Sequence, residues 1–299
     1  MKMSVSLLPT TPRANRTIGA ILMDAGLLST DDAERILVVQ KQQGLRFGEA
    51  AIRLGILKEA DIQFALARQF AYPYLRSTAD RKPVSDELIA AYQPFSAQVE
   101  QLRALRSQLM LRWFDKVEQR QILALVGTEK GEGRSYMAAN LAIVLSQLGE
   151  RTLLIDGNLR TPRQHELFKL DNKLGLSTIL AGRSSDESII RITDLAGLFV
   201  LPAGPVPPNP LELLSRPSFD ELLANARANF DVIIIDTPSF STGEDPIIIA
   251  LRAGAALVMA RSATTRVAGF TNLVQGLMNA GVAVVGSVLN EVPAKKASK

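Results

Sequence analysis

The 299-residue chain is 47% hydrophobic and 21% charged, long enough for two domains and too apolar to be disordered throughout. Its 34 basic residues exceed the 30 acidic ones by only four, which does not point to nucleic acid, and the lack of cysteine excludes disulfides and thiolate metal sites. The most apolar run, PIIIALRAGAALVMA, is cut by Arg252, and the run before Pro9 is too short for a signal peptide, so a soluble, cytoplasmic protein is expected.

Residues 17–40 and 46–69 align without a gap at a shift of 29. Gly19 matches Gly48, Gly26 matches Gly55, and Leu28 matches Leu57; Asp32, Leu37 and Gln40 match Asp61, Leu66 and Gln69. Each copy reads as a short apolar helix, a glycine suited to a left-handed helix end, and a second amphipathic helix. Ser29 precedes Asp32 by three residues in the manner of a capping box, whereas Lys58 takes that place in the second copy, a weaker start. The residues alone describe a small helical bundle that packs or docks. The predicted organisation is a helical repeat domain over 1–75, a linker over 76–94 and a nucleotide-binding domain over 95–299. The linker, RSTADRKPVSDELIAAYQP, is polar, carries two prolines and has room for one short helix.

In QVEQLRALRSQLMLRWF, Val99, Leu102, Leu105, Leu109 and Trp113 fall at helical spacing and mark a buried face. Glu100, Arg103 and Arg106 recur every three residues on the other side, where they could pair within the helix or with a neighbouring subunit. From Gln121 onward, apolar strands at 122–126, 152–155, 198–201, 232–235, 256–260 and 282–289 alternate with helical segments. Such continuous Val/Ile/Leu runs predict an α/β fold with a doubly wound, mostly parallel sheet. Ligands in that architecture sit beyond the carboxyl ends of the strands.

After the first strand comes Gly127-Thr128-Glu129-Lys130-Gly131-Glu132-Gly133-Arg134-Ser135, followed by a helix that continues with Tyr136. Gly131 and Gly133 let backbone amides turn inward toward an anion, and the helix adds its positive end. Ser135 stands where a hydroxyl binds Mg²⁺. The pattern departs from G-x-x-x-x-G-K-[ST] at Thr128 and Arg134. Arginine keeps the positive charge beside the β/γ-phosphates, with a bulkier fork of different shape. The second strand ends in Asp156, followed by Asn158 and Arg160. The fourth ends in Asp236, which can hold Mg²⁺ through a water. One such aspartate alone is an ordinary turn residue; three such sites at the ends of one sheet point to a nucleotide.

Two resemblances add to this reading. RFGEAAIRLGILKEADIQFALARQFAYPYL resembles the N-terminal domain of type II secretion and type IV pilus ATPases. Some of these bind cyclic di-GMP through two motifs that open R-[LF]-G and end in Gln. That implies Arg46 and Gln69 as ligand contacts; in the first copy Thr17 replaces the arginine, with Arg16 one residue earlier. From about Pro94 to Asn290, the strings PFSAQVEQLRALRSQLMLRW, GEGRSYMAANLA, LGERTLLID, LPAGPVPPNPLELLS and DVIIIDTP resemble bacterial tyrosine kinases of capsule and exopolysaccharide synthesis. These belong with the MinD and ParA ATPases, and the likeness is greatest to the EpsG-type chain-length-determinant kinases.

The resemblance implies ATP and Mg²⁺ as cofactors, with residues 127–136 and Asn290 holding the nucleotide, Asn290 at its adenine. Ser135, Asp156 and Asp236 would hold the metal, and Arg134, Asp156, Asn158, Arg160 and Asp236 would serve catalysis. Glu100, Arg103 and Arg106 match an E-x-x-R-x-x-R motif that assembles subunits into rings. The implied partners are a membrane-embedded polysaccharide co-polymerase and a tyrosine-bearing protein substrate. Two departures stand out. Asn158 replaces the second carboxylate of a D-x-D motif and cannot take a proton. The tail NEVPAKKASK has no tyrosine; the four tyrosines are Tyr72, Tyr74, Tyr92 and Tyr136. Tyr136 reads as a packing residue and His165 as structural. A nucleotide-binding regulator without kinase chemistry therefore remains open, as does a second-messenger or docking module with a vestigial ATPase.

Overall fold

The computed structural model describes residues 16–69, 75, 83–115, 117–118, 120–184 and 186–291. Tyr72, Tyr74, residues 76–82 of the expected linker and the AKKASK tail lie outside them. The chain divides into two compact units, Met1–Arg76 and Ser77–Lys299.

The first unit holds α1 (Ile18–Asp24), α2 (Thr30–Gln43), α3 (Phe47–Arg53) and α4 (Glu59–Gln69). The repeat is visible in its caps. Thr17 and Ser29 accept from the amides of Ala20 and Asp32, starting α1 and α2. Lys58 offers no such acceptor, but Asp61 accepts from its amide at 3.0 Å, half of a box. Gly26 and Gly55 close the first helix of each copy at φ 68° and 69°, a conformation that costs glycine little. The helices interlock: α1 packs on α4 and α2 on α3. The first helix of each copy therefore rests on the second helix of the other, around Leu22, Ile36, Ala50 and Ala51. Helices of seven residues cannot bury their apolar stripes alone, and the exchange covers both.

The second unit is a seven-stranded sheet in the order β3-β4-β2-β5-β1-β6-β7. Its strands are β1 (Ile122–Gly127), β2 (Thr152–Asp156), β3 (Ile190–Arg191), β4 (Leu198–Leu201), β5 (Val232–Asp236), β6 (Ala255–Arg261) and β7 (Ala283–Asn290). All six expected strands are present. Only β3 was not anticipated: it is two residues long and antiparallel at the edge, too short for a periodic signal. Every residue of β1, β2 and β5 is buried, which is why these strands read as unbroken apolar runs.

The helices of this unit are α5 (Ile89–Tyr92), α6 (Ala97–Arg112), α7 (Arg134–Ser146), α8 (Gln164–Phe168), α9 (Leu176–Leu180), α10 (Pro210–Leu214), α11 (Pro217–Asn229), α12 (Asp245–Ala253) and α13 (Val267–Asn279). Ser96 caps α6, which buries Val99, Leu102 and Leu109 and packs on α7. The expected linker needs correction over its second half, because residues 84–92 are built into this unit. Ala90 N donates to Asn140 Oδ1 at 2.9 Å, Asn140 Nδ2 to Glu87 O at 3.2 Å, and Ser85 N to Leu167 O at 2.8 Å. Val84, Leu88, Ala90, Ala91 and Tyr92 are buried there. Among prolines and charges these apolar residues are too irregularly spaced to show a period, yet they cover α7 and tie down its flank.

Candidate nucleotide and metal site

β1 is central in the sheet, between β5 and β6, so its carboxyl end opens at a crevice where the strand order reverses. The loop leaving it is built on Gly131 (φ 82°) and Gly133 (φ 92°), left-handed positions that turn successive amides inward. A Cβ on Gly133 would lie 2.4 Å from Asn290 Nδ2, so any side chain there would have to displace the Asn290 amide. α7 starts at Arg134 and points its unsatisfied amides at the loop's hollow. Beside it lies a cavity of about 940 Å³ lined by Gly133, Tyr136, Met137, Leu105 and Asn290 among others. Burial, then Glu87, holds the Tyr136 hydroxyl above the ordinary tyrosine range.

Arg134 is folded into the loop. Its Nη1 donates to Glu129 O at 2.7 Å and to Glu132 Oε2 at 3.1 Å, and its Nε to Thr237 O at 3.3 Å. Burial pulls its pKa below the usual value, opposed by Asp236 and Glu132. Lys130 is exposed and Thr128 buried at the loop's edge. Asn290 ends β7 with its amide donating to Glu132 O at 2.9 Å, so it reaches both the loop and the cavity.

The two strand-end carboxylates stand side by side, because β2 and β5 pair in register at Asp156 and Asp236. Both are fully buried. Asp156 Oδ1 accepts from Asn158 N at 3.2 Å, and Oδ2 from Arg163 N at 3.0 Å and Gln164 N at 2.9 Å. Burial and the nearby Asp236 nevertheless push Asp156 up to about 8. Burial raises Asp236 as well, against hydrogen bonds from Ser135 and Gln164. Asp236 Oδ1 and Gln164 Oε1 are buried acceptors with no donor. Orphaned oxygens beside the Ser135 hydroxyl are what a hydrated cation would satisfy. Among the described residues no three acidic or histidine side chains cluster, so an ion here would draw on Ser135, Asp236 and a ligand's own oxygens.

The remaining candidates face elsewhere. Asn158 donates to Thr161 O and Oγ1 at 2.8 and 3.1 Å and accepts from Thr161 N at 3.0 Å, shaping the loop after β2. Arg160 makes a forked pair with Asp245 at the start of α12, at 3.0 to 3.2 Å. Glu100 is 72% exposed and pairs with Arg103 within α6, while Arg106 donates to Val144 O of α7 at 2.8 Å. In the first unit Arg46 stands at the N-cap of α3 and donates its backbone N to Glu49 Oε2 at 2.9 Å, and Gln69 Nε2 donates to Arg16 O at 3.2 Å. The interlock thus brings the start of one copy to the end of the other.

Sequence reasoning missed Gln164. It is fully buried, and its Nε2 donates to Asp236 Oδ2 at 2.8 Å and to Ser135 O at 3.1 Å while its backbone N holds Asp156. One residue therefore ties the phosphate loop to both carboxylates. A glutamine eight residues past a strand end carries no motif; only the fold of the loop brings it back. Thr237, whose carbonyl accepts from Arg134, and Thr265, whose hydroxyl donates to Glu132, were missed for the same reason; Glu132 was expected at the nucleotide but not as the partner of Arg134.

No family model matches the chain. Tyrosine-protein kinase wzc of Salmonella typhimurium is 35% identical over 206 residues, 69% of this chain and 28% of that protein. The chain thus spans little more than a quarter of the length of that relative. Tyrosine-protein kinase YwqD of Bacillus subtilis is 34% identical over 212 residues, 71% of this chain and 87% of that protein. Among solved structures, the kinase domain of Escherichia coli tyrosine kinase ETK superposes with a TM-score of 0.66 at 30% identity, covering 76% of this chain and 92% of that one.

Proposed function

The chain belongs to the family of bacterial tyrosine-protein kinases, and we propose that it transfers the γ-phosphoryl group of ATP to protein tyrosine in the control of exopolysaccharide chain length and export. The observation that carries this reading is the meeting of the glycine loop, Ser135 and the orphaned Asp236 Oδ1 at one edge of the sheet. These residues fit Mg·ATP. Residues 127–136 would cradle the phosphates, Ser135 and Asp236 would hold the metal with Asp156 beside it, and Asn290 and the cavity next to it would receive the nucleoside. The bound metal ion supplies neutralisation of charge on the transferring group. Arg134 adds its charge beside the β/γ-phosphates. Asp156, poised at about 8, suits a base that accepts the tyrosine proton near neutral pH. Arg160, through its pairing with Asp245, would hold the loop that carries these groups.

The acceptor is a tyrosine-bearing protein, and the partner a membrane-embedded polysaccharide co-polymerase that brings the chain to the inner membrane. Among the described residues no helix is long and apolar enough to cross a membrane. Glu100, Arg103 and Arg106 would turn to a neighbouring subunit in a ring. The first unit, an EpsG-type feature in this reading, resembles the secretion-ATPase N-terminal domain. Its interlocked copies support cyclic di-GMP as a ligand, with Arg46 and Gln69 at the meeting of the two motifs. A flat calorimetric titration of the wild type with cyclic di-GMP disposes of that part; binding that Arg46→Ala removes supports it.

A second reading rests on Asn158, whose amide is engaged by Thr161 and leaves Asp156 without a second carboxylate. It makes the chain a nucleotide-binding regulatory partner of the co-polymerase. Incubation with Mg·ATP and the co-polymerase, probed for phosphotyrosine, separates the two. A signal that Asp156→Ala lowers by ~10²–10⁴-fold supports the kinase. Nucleotide binding with no phosphotyrosine leaves the regulator.

A further inference from the structure

Glu132 stands in the middle of the phosphate loop, yet it is fully buried. Its Oε1 accepts from Thr265 Oγ1 at 2.6 Å and its Oε2 from Arg134 Nη1 at 3.1 Å. Thr265 Oγ1 in turn accepts from Arg261 N at 2.8 Å, and Arg261 Nη1 donates to Gly131 O at 3.3 Å. The carboxylate is therefore pinned at both ends by the loop and by the turn after β6. Packing agrees. A Cβ on Gly127 would lie 2.4 Å from Glu132 Oε2 and 2.8 Å from Arg134 Nη1, so β1 ends in glycine to make room for this pair.

A phosphate loop exists to attract anions, and a buried carboxylate touching Arg134, the cation that stands where the motif carries lysine, works against that task. Loop geometry does not demand it either, since Glu129 O and Thr237 O already hold two nitrogens of Arg134. What Glu132 adds is charge. The guanidinium is neutralised within the loop before any nucleotide arrives, and an incoming phosphate must share it.

We propose that Glu132 is a built-in counter-ion that competes with the nucleotide's phosphates for Arg134, weakening the loop's hold and hastening release of ADP. This rests on the reading of the loop as a nucleotide site and goes beyond it: Glu132 is a positioning residue that acts through Arg134. Glu132 and Arg134 form one ion-paired unit at the place where an ordinary loop carries a lysine. The planar fork can bond the carboxylate with one arm and leave Nη2 for a phosphate oxygen.

The test compares the full-length wild type with Glu132→Gln in calorimetric titrations with Mg·ADP and Mg·ATP. Glutamine keeps an acceptor for Arg134 and can donate to Thr265 Oγ1, while the charge is removed. Tighter binding by roughly tenfold is expected, with slower release of a fluorescent ADP analogue. Thermal melts should show the variant less stable without nucleotide and more strongly stabilised by saturating nucleotide. A residue with a merely structural role would weaken binding when replaced. Equal or weaker binding by Glu132→Gln therefore overturns the proposal. If that variant does not fold, Arg134→Lys is compared with Glu132→Gln/Arg134→Lys, and the double variant must bind more tightly; equal or weaker binding again overturns it. A wild type that binds neither nucleotide sinks the reading of the site and this proposal together, whereas a binding wild type with an unchanged variant sinks this proposal alone.

Discussion

Replacing Gln164 with leucine removes a side-chain donor from Asp236 while keeping most of the volume. The backbone bond from residue 164 to Asp156 Oδ2 stays, because it does not depend on the side chain. Two bonds are lost, to Asp236 Oδ2 at 2.8 Å and to Ser135 O at 3.1 Å. The first matters most, since a hydrogen bond to a charged group contributes about 1.5–3 kcal/mol net. Its loss removes one of the influences that hold Asp236 down against burial, so the carboxylate becomes harder to ionise. A metal-binding carboxylate must be ionised, so the cost passes to Mg²⁺-dependent affinity. A loss of about 2 kcal/mol corresponds to roughly 30-fold weaker Mg·ADP binding. Calorimetric titration with and without Mg²⁺ measures it directly. The weakening should be large in the presence of the metal and much smaller for metal-free ADP. A Gln164→Leu protein that folds and binds Mg·ADP as tightly as the wild type would refute the role given to this residue.

Asn140→Ala should cost about 1–3 kcal/mol in urea denaturation, because it leaves the buried Ala90 amide without its acceptor; no change in midpoint would mean that residues 84–92 are not held by α7 in this way. In nucleotide-free protein with EDTA, Asp156 holds its proton more tightly when folded, with a pKa of about 8 against an ordinary 3.8. Its contribution to stability is therefore complete below about pH 4 and is lost as the pH rises through about 8. Asp156→Asn should flatten that decline in melts across the window, and a wild type whose stability rises there contradicts the environment assigned to Asp156. Arg160→Ala leaves Asp245 buried and unpaired and should destabilise by about 3 kcal/mol, with most of the loss recovered in Arg160→Ala/Asp245→Asn. A double variant no more stable than the single one would show that the pair is not what Arg160 contributes.

The sheet was legible because burial on both faces turns strands into apolar runs that few helices imitate, as in VIII before Asp236. The phosphate loop was legible because glycine at 131 and 133 answers a backbone demand that other residues meet poorly. The front repeat was legible too, but not its interlock, since pairing α1 with α4 is set by which faces meet and not by either helix alone. The linker was misjudged over residues 84–92 because its buried residues are scattered among polar ones. Side-chain partners were the least legible part. Arg134 was expected to look toward phosphate, and the carboxylate that holds it lies two residues away in the same loop. Asn158 differs from aspartate only by an amide nitrogen in place of one oxygen, yet only the fold shows its amide engaged by Thr161.

In the proposed function, a nucleotide held between the glycine loop and Asp236 gives up its γ-phosphoryl group to protein tyrosine. The most direct measurement is the appearance of label on protein tyrosine from γ-labelled ATP, in the presence of the co-polymerase, with Mg²⁺ or with EDTA. Labelled phosphotyrosine that requires Mg²⁺ and falls to background in Asp236→Asn is expected. Label that appears equally in EDTA or in Asp236→Asn, or no label from a wild type that binds Mg·ATP, would contradict it.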